Sequence, residues 1–178
     1  AALAMAKKAV ELIDMTEHRG EHPRMGAMDV VPFIPLMDAT MEDCIELATD
    51  FAKTFAEDTG VPCYLYEEAA SRPERKNLAK IRKGEFEGLR DAIGTDPEHE
   101  PDFGPNKIHP TAGATAVGAR FFLIAFNVNL GTDDIEVAKK IAKAIRHSSG
   151  GYRHVKSMGF EIKERGIVGA HVRDNGQV

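Results

Sequence analysis

The chain has 178 residues, enough for one ordinary domain or two small subdomains. Hydrophobic residues at 43% and charged residues at 29% are the balance of a soluble globular protein, and the net charge of -5 excludes a general electrostatic attraction to nucleic acid or to an anionic membrane. Its longest apolar run, Phe121 to Phe126, falls far short of the ~20 residues of a membrane span, and Ala1 to Val10 lacks the order of a signal peptide, so a cytoplasmic protein is expected. Cys44 and Cys63 sit in apolar segments outside any Cys-x-x-Cys pair and read as buried thiols in a reducing compartment.

In chain order, Ala2 to Met15 reads as a helix with Ala6, Ala9, Val10 and Ile13 on one face, and it starts without a cap. Gly20, Pro23 and Gly26 make Thr16 to Met28 a loop. Asp29 to Leu36, with two prolines, suits a short strand. Thr40 opens the clearest helix, with Glu42 and Asp43 in its first turn, an apolar stripe from Met41 to Phe55, and Gly60 as its stop. Val61 to Tyr66 follows as a strand. Asn77 to Ile93 is helical but interrupted at Gly84 and Gly88. Thr95 to Ala119, rich in proline and glycine, reads as one long irregular stretch, of the kind that is functional or a linker. Phe121 to Val128 fits a strand buried on both faces. Asp133 to His147 is an amphipathic helix, and Tyr152 to Ile162 and Ile167 to Val172 are two strands around a turn at Glu164 to Gly166. The expected class is α+β: two α/β sandwich subdomains with mixed sheets and helices packed on one face, divided near Gly118 to Phe121.

Three segments carry chemistry-bearing residues. His18-Arg19-Gly20-Glu21-His22 matches the H-x-x-E-H zinc-peptidase pattern, which needs both histidines on one helix face. Gly20, Pro23 and Gly26 forbid that helix, because a residue before proline is pushed out of the helical region. His22 is then a loop histidine among Glu21, Arg24 and Asp29, a grouping suited to moving a proton near neutral pH. The second segment, Asp102 to Gly113, offers Asn106, Lys107, His109 and Thr111 on a glycine- and proline-shaped backbone. It is either an ordinary connection or a loop around a planar ligand with polar edges. Its Asp102-Phe103-Gly104 has none of the other kinase motifs around it. The third is the basic cluster Arg146, His147, Arg153, His154 and Lys156, which suits a solvated helix end or the binding of carboxylates.

The chain resembles the glutamate formimidoyltransferase (formiminotransferase) family. The residues that carry the resemblance are Leu12-Ile13-Asp14-Met15, Gly20-Glu21-His22-Pro23-Arg24-Met25-Gly26-Ala27-Met28-Asp29-Val30 with Pro32-Phe33-Ile34-Pro35, and Val61-Pro62 with Tyr64-Leu65-Tyr66. Further on come Ile81-Arg82 with Gly84-Glu85, Pro101-Asp102-Phe103-Gly104-Pro105, Gly113-Ala114-Thr115, and Phe122 to Asn127 with Asn129-Leu130. The match runs from the first helix to about Val168.

The resemblance implies transfer of a formimino group from N-formimino-L-glutamate to N5 of tetrahydrofolate, by a cytoplasmic and usually dimeric enzyme that uses folate as co-substrate and no metal. It implies that His22 is the catalytic histidine, and Arg24 and Asp29 are expected to help by positioning and charge. It places the folate site on Gly104-Pro105-Asn106-Lys107-Ile108-His109-Pro110-Thr111-Ala112-Gly113. Residues 1–119 would be the N-terminal subdomain and 120–178 part of the C-terminal one. The family begins with strands and an Asn-Phe-Ser-Glu-Gly motif ahead of the first helix, so the chain is expected to be truncated at both ends and, alone, to have little or no transferase activity. The alternatives are a glutamate formyltransferase that uses 5-formyltetrahydrofolate, and a non-catalytic folate-binding fragment. A cyclodeaminase, fused to some family members, is expected only as a partner.

Overall fold

In a computed structural model, which describes residues 1–20, 23–162 and 166–174, the chain divides into two units, Ala1–Arg120 and Phe121–Val178. The first contains helix α1 (Ala2–Leu12), strand β1 (Val30–Phe33), helix α2 (Met41–Thr59), strand β2 (Cys63–Glu67), short helices α3 (Leu78–Ile81) and α4 (Glu85–Ala92), and strand β3 (Thr115–Ala119).

Helix α2 organises this unit. Thr40 Oγ1 accepts from the Asp43 N–H at 3.1 Å, and the Asp43 carboxylate accepts from the Thr40 N–H at 2.8 Å, a reciprocal cap that satisfies two otherwise unpaired donors. At the other end Gly60 takes a left-handed conformation that closes the last turn. Between them Cys44, Ala48, Phe51, Ala52 and Phe55 form the buried stripe. Helix α1 ends at Leu12, earlier than expected, because Met15 leaves the helical ladder to donate its N–H to the Thr111 carbonyl at 2.7 Å.

The sheet has the order β1-β3-β2 and both pairings are parallel. Parallel neighbours need long crossovers, and α2 is the crossover between β1 and β2. Val31, Cys63, Leu65 and Val117 face α2, while Tyr64, Tyr66 and Ala116 turn to the opposite face and pack with Ile81 and Leu89. The α+β class is the one expected. The structure adds a layer to it: α3 and α4 cover the face of the sheet away from α2, so helical segments lie on both faces of this unit.

The central strand falls inside the stretch expected to be irregular. All five residues of β3 are buried. In its sequence, Thr-Ala-Val-Gly-Ala, Thr115 and Val117 favour a strand, but the small Ala116, Gly118 and Ala119 dilute that signal. A Cβ at Gly118 would stand 2.5 Å from the Tyr66 carbonyl and 2.6 Å from its ring. The break in the segment from Asn77 to Ile93 comes at Gly84, which has φ +87 and opens α4, whereas Gly88 sits inside α4.

The second unit holds β4 (Ile124–Asn129), helix α5 (Ile135–Ile145), β5 (Val155–Ile162) and β6 (Ile167–Asp174) in an antiparallel sheet of order β4-β6-β5. Asp134 caps α5 by accepting from the Glu136 N–H at 2.9 Å. The helix packs closely on β5, since a Cβ at Gly159 would meet the Lys139 nitrogen at 2.8 Å. Of the expected turn at Glu164 to Gly166, Glu164 and Arg165 lie outside the described residues, and Gly166 has φ +60. The expectation that Phe121 to Val128 is buried on both faces is not met: every residue of β4 is exposed. The strand is an edge, and α5 lies over β5 and β6 rather than over it. An apolar run shows that a strand wants cover, and the position in the sheet decides whether it gets it.

Gly118→Ala is expected to cost about 1–3 kcal/mol, because both the Tyr66 ring and its backbone would have to shift. Gly131→Ala, where nothing lies within 4 Å of the added carbon, should change stability by less than about 0.5 kcal/mol. Urea unfolding of the two variants checks the contrast.

Candidate functional site

Two of the segments singled out in the sequence meet in the first unit. Gly26 and Gly113 form an antiparallel bridge. Around it the Ala27 N–H donates to the Ala112 carbonyl at 2.9 Å and the Ala114 N–H donates to the Met25 carbonyl at 3.0 Å. The approach requires glycine on both sides. A Cβ at Gly26 would lie 2.0 Å from the Ala114 carbonyl oxygen, and one at Gly113 would lie 2.3 Å from that of Met25, at a φ of +71. Met25, Ala112 and Ala114 are fully buried beside this junction. Glu21 and His22 lie outside the described residues, so what is seen is the frame on either side of them.

That frame is ionic. Arg24 is buried, and its guanidinium is divided among Glu85 at 3.1 Å, Glu87 at 2.9 Å and the His18 carbonyl at 2.9 Å. The Arg24 guanidinium beside Glu87 holds that carboxyl down at about 2, so the pair stays charged through the physiological range. Asp29 accepts from the Met25 N–H at 2.7 Å and is paired with Arg82, which also donates to the Pro23 carbonyl. Burial pushes the Asp29 carboxyl up, against the opposing pull of the Met25 N–H and the Arg82 cation. Arg24 and Asp29 are therefore both engaged with the protein itself.

The stretch from Gly104 to Gly113 splits by exposure. Gly104, Pro105, Asn106, Lys107 and Pro110 are exposed, Ile108, His109 and Thr111 are half-buried, and Ala112 and Gly113 are buried. Gly104, at φ +89, packs against Ala56 and Pro62, and Ile108 joins the cluster around Tyr64 and Leu89. The far end is a turn: His109 and Gly113 exchange backbone hydrogen bonds at 3.2 and 3.1 Å, and the Ala112 N–H donates to His109 Nδ1 at 3.0 Å. That bond needs an unprotonated Nδ1, and burial lowers the His109 pKa in the same sense.

Just before this stretch, Asp102 is an anchor. Its carboxylate accepts from the Leu65 N–H at 2.7 Å and pairs with Arg75 at 2.6 Å, and the Ser71 hydroxyl donates to it as well. Arg75 is 3% exposed, and its guanidinium lies 5.1 Å from the centre of the Tyr64 ring. Elsewhere in the unit a cleft of about 940 Å³ opens between Tyr64, Arg75, Lys80, Lys83, Gly84 and His99. Neither Arg24, Asp29 nor any residue from 104 to 113 is among those lining it. The basic cluster belongs to the second unit, where Arg146 donates to Ser149 Oγ at 2.9 Å in the turn that follows α5. Among the described residues no group of three His, Cys, Asp or Glu side chains could hold a metal ion, and the Cys63 thiol is pushed up to about 12 by burial.

Residues 1–120 match the model of the formiminotransferase domain, N-terminal subdomain. The chain belongs to the formiminotransferase family. It is 53% identical over 168 residues to the glutamate formimidoyltransferase of Streptococcus pyogenes serotype M1, which covers 94% of this chain and 56% of that protein. To the glutamate formimidoyltransferase of Thermoplasma acidophilum it is 52% identical over 170 residues, 94% of this chain and 55% of that protein. With the formimidoyltransferase-cyclodeaminase of Gallus gallus it shares 46% identity over 173 residues, 94% of this chain and 32% of that protein. The chain spans about half the length of the two glutamate formimidoyltransferases. Within this family setting the ion pairs Arg82–Asp29 and Arg75–Asp102 are what sequence reasoning missed. Arg82 and Asp102 stood in segments that carry the resemblance, but nothing in their spacing named their partners. Arg75, in a charged run, gave no signal at all.

Arg75→Met should leave the buried Asp102 carboxylate without its cation, holding only the Leu65 N–H and the Ser71 hydroxyl, at a cost of about 3–5 kcal/mol measurable by urea unfolding. His109 sets a pH effect. The folded chain favours its neutral ring, so below the ordinary value of 6.5 the unfolded chain binds more protons. The stability it contributes is complete above that value and is lost as the pH falls through it. The Tm advantage of the wild type over His109→Gln should therefore shrink between pH ~7.5 and ~5.5.

Proposed function

We propose that this chain carries the proton-transfer half of a folate-dependent formimino transfer, from N-formimino-L-glutamate to N5 of tetrahydrofolate, with His22 as the base and acid. As N5 bonds to the formimino carbon it must lose its proton. As the bond from that carbon to the glutamate nitrogen breaks, that nitrogen must gain one. A single imidazole close to both atoms takes the first proton and delivers the second, so the histidine ends as it began.

The observation that carries the reading is the Gly26–Gly113 junction, which ties the segment after His22 to the stretch proposed for folate. On that stretch, exposed Gly104, Pro105, Asn106 and Lys107 are the residues open to a ligand, while Ala112 and Gly113 build the junction. Arg24 and Asp29, both engaged with the protein, act by fixing the loop rather than by touching substrate. The activities for which the relatives are named support the reaction class, and the fused Gallus gallus relative supports a cyclodeaminase partner. The C-terminal subdomain assignment of the second unit and a homodimer belong to the same proposal. So does a cytoplasmic location, which fits with no described helix being long and apolar enough to cross a membrane. A second reading of the same stretch is a folate-binding fragment without turnover, favoured by the exposure of Gly104, Pro105, Asn106 and Lys107.

Tetrahydrofolate titration and a formimino-transfer assay on the same preparation, made with a version as long as its full-length relatives, separate the two. The transferase reading expects turnover, and His22→Ala should cut it by about 100-fold or more while folate affinity stays within about threefold. Turnover that survives His22→Ala sinks the role of His22. Folate binding without turnover in the unsubstituted chain leaves the second reading.

A further inference from the structure

His109 closes the far turn of the 104–113 stretch with its side chain. The Ala112 N–H donates to His109 Nδ1 at 3.0 Å, inside the loop that the His109–Gly113 backbone bonds close at 3.2 and 3.1 Å. A backbone N–H can only donate, so Nδ1 is the accepting nitrogen and the proton of the neutral ring sits on Nε2. Burial lowers the pKa of the ring, which favours this neutral form. Nε2 itself makes no hydrogen bond among the described residues. Nor is it one of the sealed, unpaired polar atoms, which among the described residues belong to Arg24, Tyr66, Arg82 and Thr115. His109 thus offers one N–H of fixed identity from a half-buried position. The backbone on both sides of the ring is anchored, because Ile108 packs into the cluster around Tyr64 and Leu89 and Gly113 is held against Gly26. Lys107 and Pro110, which flank the Ile108–His109 pair, are exposed.

We propose that His109 is a specificity-determining residue of this stretch, and that its Nε2–H donates a hydrogen bond to an acceptor atom, a carbonyl oxygen or a ring nitrogen, on the polar edge of the bound folate. The proposal deepens the folate reading of residues 104–113 and rests on it. A ligand with a donor at that place would set two N–H groups against each other. The ring cannot answer by changing tautomer without losing the Ala112 bond. A hydroxyl or a carboxamide in its place could turn to suit either kind of ligand. The preference for an acceptor is therefore built in by the turn.

Asparagine and glutamine separate the two ring nitrogens. The carboxamide oxygen of Asn can stand where Nδ1 stands, and the carboxamide nitrogen of Gln can stand where Nε2 stands. Binding of 5-formyltetrahydrofolate is measured by calorimetry on versions as long as the full-length relatives, and hydrogen exchange of the Ala112 amide is followed in the same proteins. His109→Asn should keep that amide protected and weaken binding by about threefold or more, because the donor is lost. His109→Gln should leave the amide unprotected yet bind more tightly than His109→Asn. A role confined to closing the turn expects the reverse order. A smaller loss in His109→Asn, or weaker binding by His109→Gln than by His109→Asn, overturns the proposal and leaves the folate reading standing. No binding by the unsubstituted protein sinks the folate reading and the proposal with it. The tautomer needs neither variant nor ligand. In the 178-residue chain labelled with nitrogen-15, at a pH of about 8 where the ring is neutral, NMR should find the His109 ring proton on Nε2. A proton on Nδ1 overturns the proposal whether or not the variants fold.

Discussion

The backbone of Gly26 runs against that of Gly113 with no side chain between them, and the arrangement of the candidate site depends on that contact. The two glycines belong to segments that are far apart in sequence. Once they touch, the hydrogen bonds on either side follow: Ala27 to Ala112, Ala114 to Met25, and then the Ala116 N–H to the Asp29 carbonyl, which starts the pairing of β1 with β3. The contact is thus the first rung of the ladder that places the central strand. It links fold and site in one constraint, since the loop that carries the histidine segment is also the lead-in to the sheet.

Around this uncharged junction the protein places ion pairs that would be poor value as stabilisers on an open surface. Arg24 and Arg75 are nearly excluded from water, and each meets carboxylates and carbonyl oxygens together. Taking such charges out of water costs several kcal/mol, and the return depends on complete hydrogen bonding. What they contribute is geometry. A carbonyl in a loop without regular structure has no ladder partner, and a guanidinium supplies several donors at fixed angles. Arginine holds the irregular segments here: Arg24 at the His18 carbonyl, Arg82 at that of Pro23, and Arg75 at that of Glu98.

How much of this was legible in the sequence depended on the range of the interaction. The cap of α2 could be read because Thr40 and Asp43 are three residues apart and Gly60 acts locally. The loop character of residues 16–20 and 23–28 could be read from Gly20, Pro23 and Gly26. Strand β3 could not, because its small residues answer to Tyr64 and Tyr66 of another strand, and no property of Thr115 to Ala119 alone reports those rings. The exposure of β4 was hidden for the same reason, since it is set by the sheet order and by where α5 lies. At the site, the segments were visible through the family resemblance, but the pairing of Asp29 with Arg82 joins residues 53 positions apart. Local spacing holds no trace of such a pair.

These constraints explain why the histidine segment has the composition it has. A proton carrier must stand within a few tenths of an ångström of its working position, and a helix or strand normally supplies that precision. On the sequence alone His22 is expected outside a helix, because a residue before proline is disfavoured in the helical region. The contacts the structure describes are made by the residues that follow it. Pro23 limits the backbone and offers a carbonyl to Arg82. Arg24 reaches back to the carbonyl of His18, Met25 fills the core, and Gly26 allows the close approach to Gly113. Each position in Pro23-Arg24-Met25-Gly26 thus does a separate mechanical task, and none of them requires contact with substrate. A segment built this way can be sensitive to substitution along its whole length even where only one side chain performs chemistry.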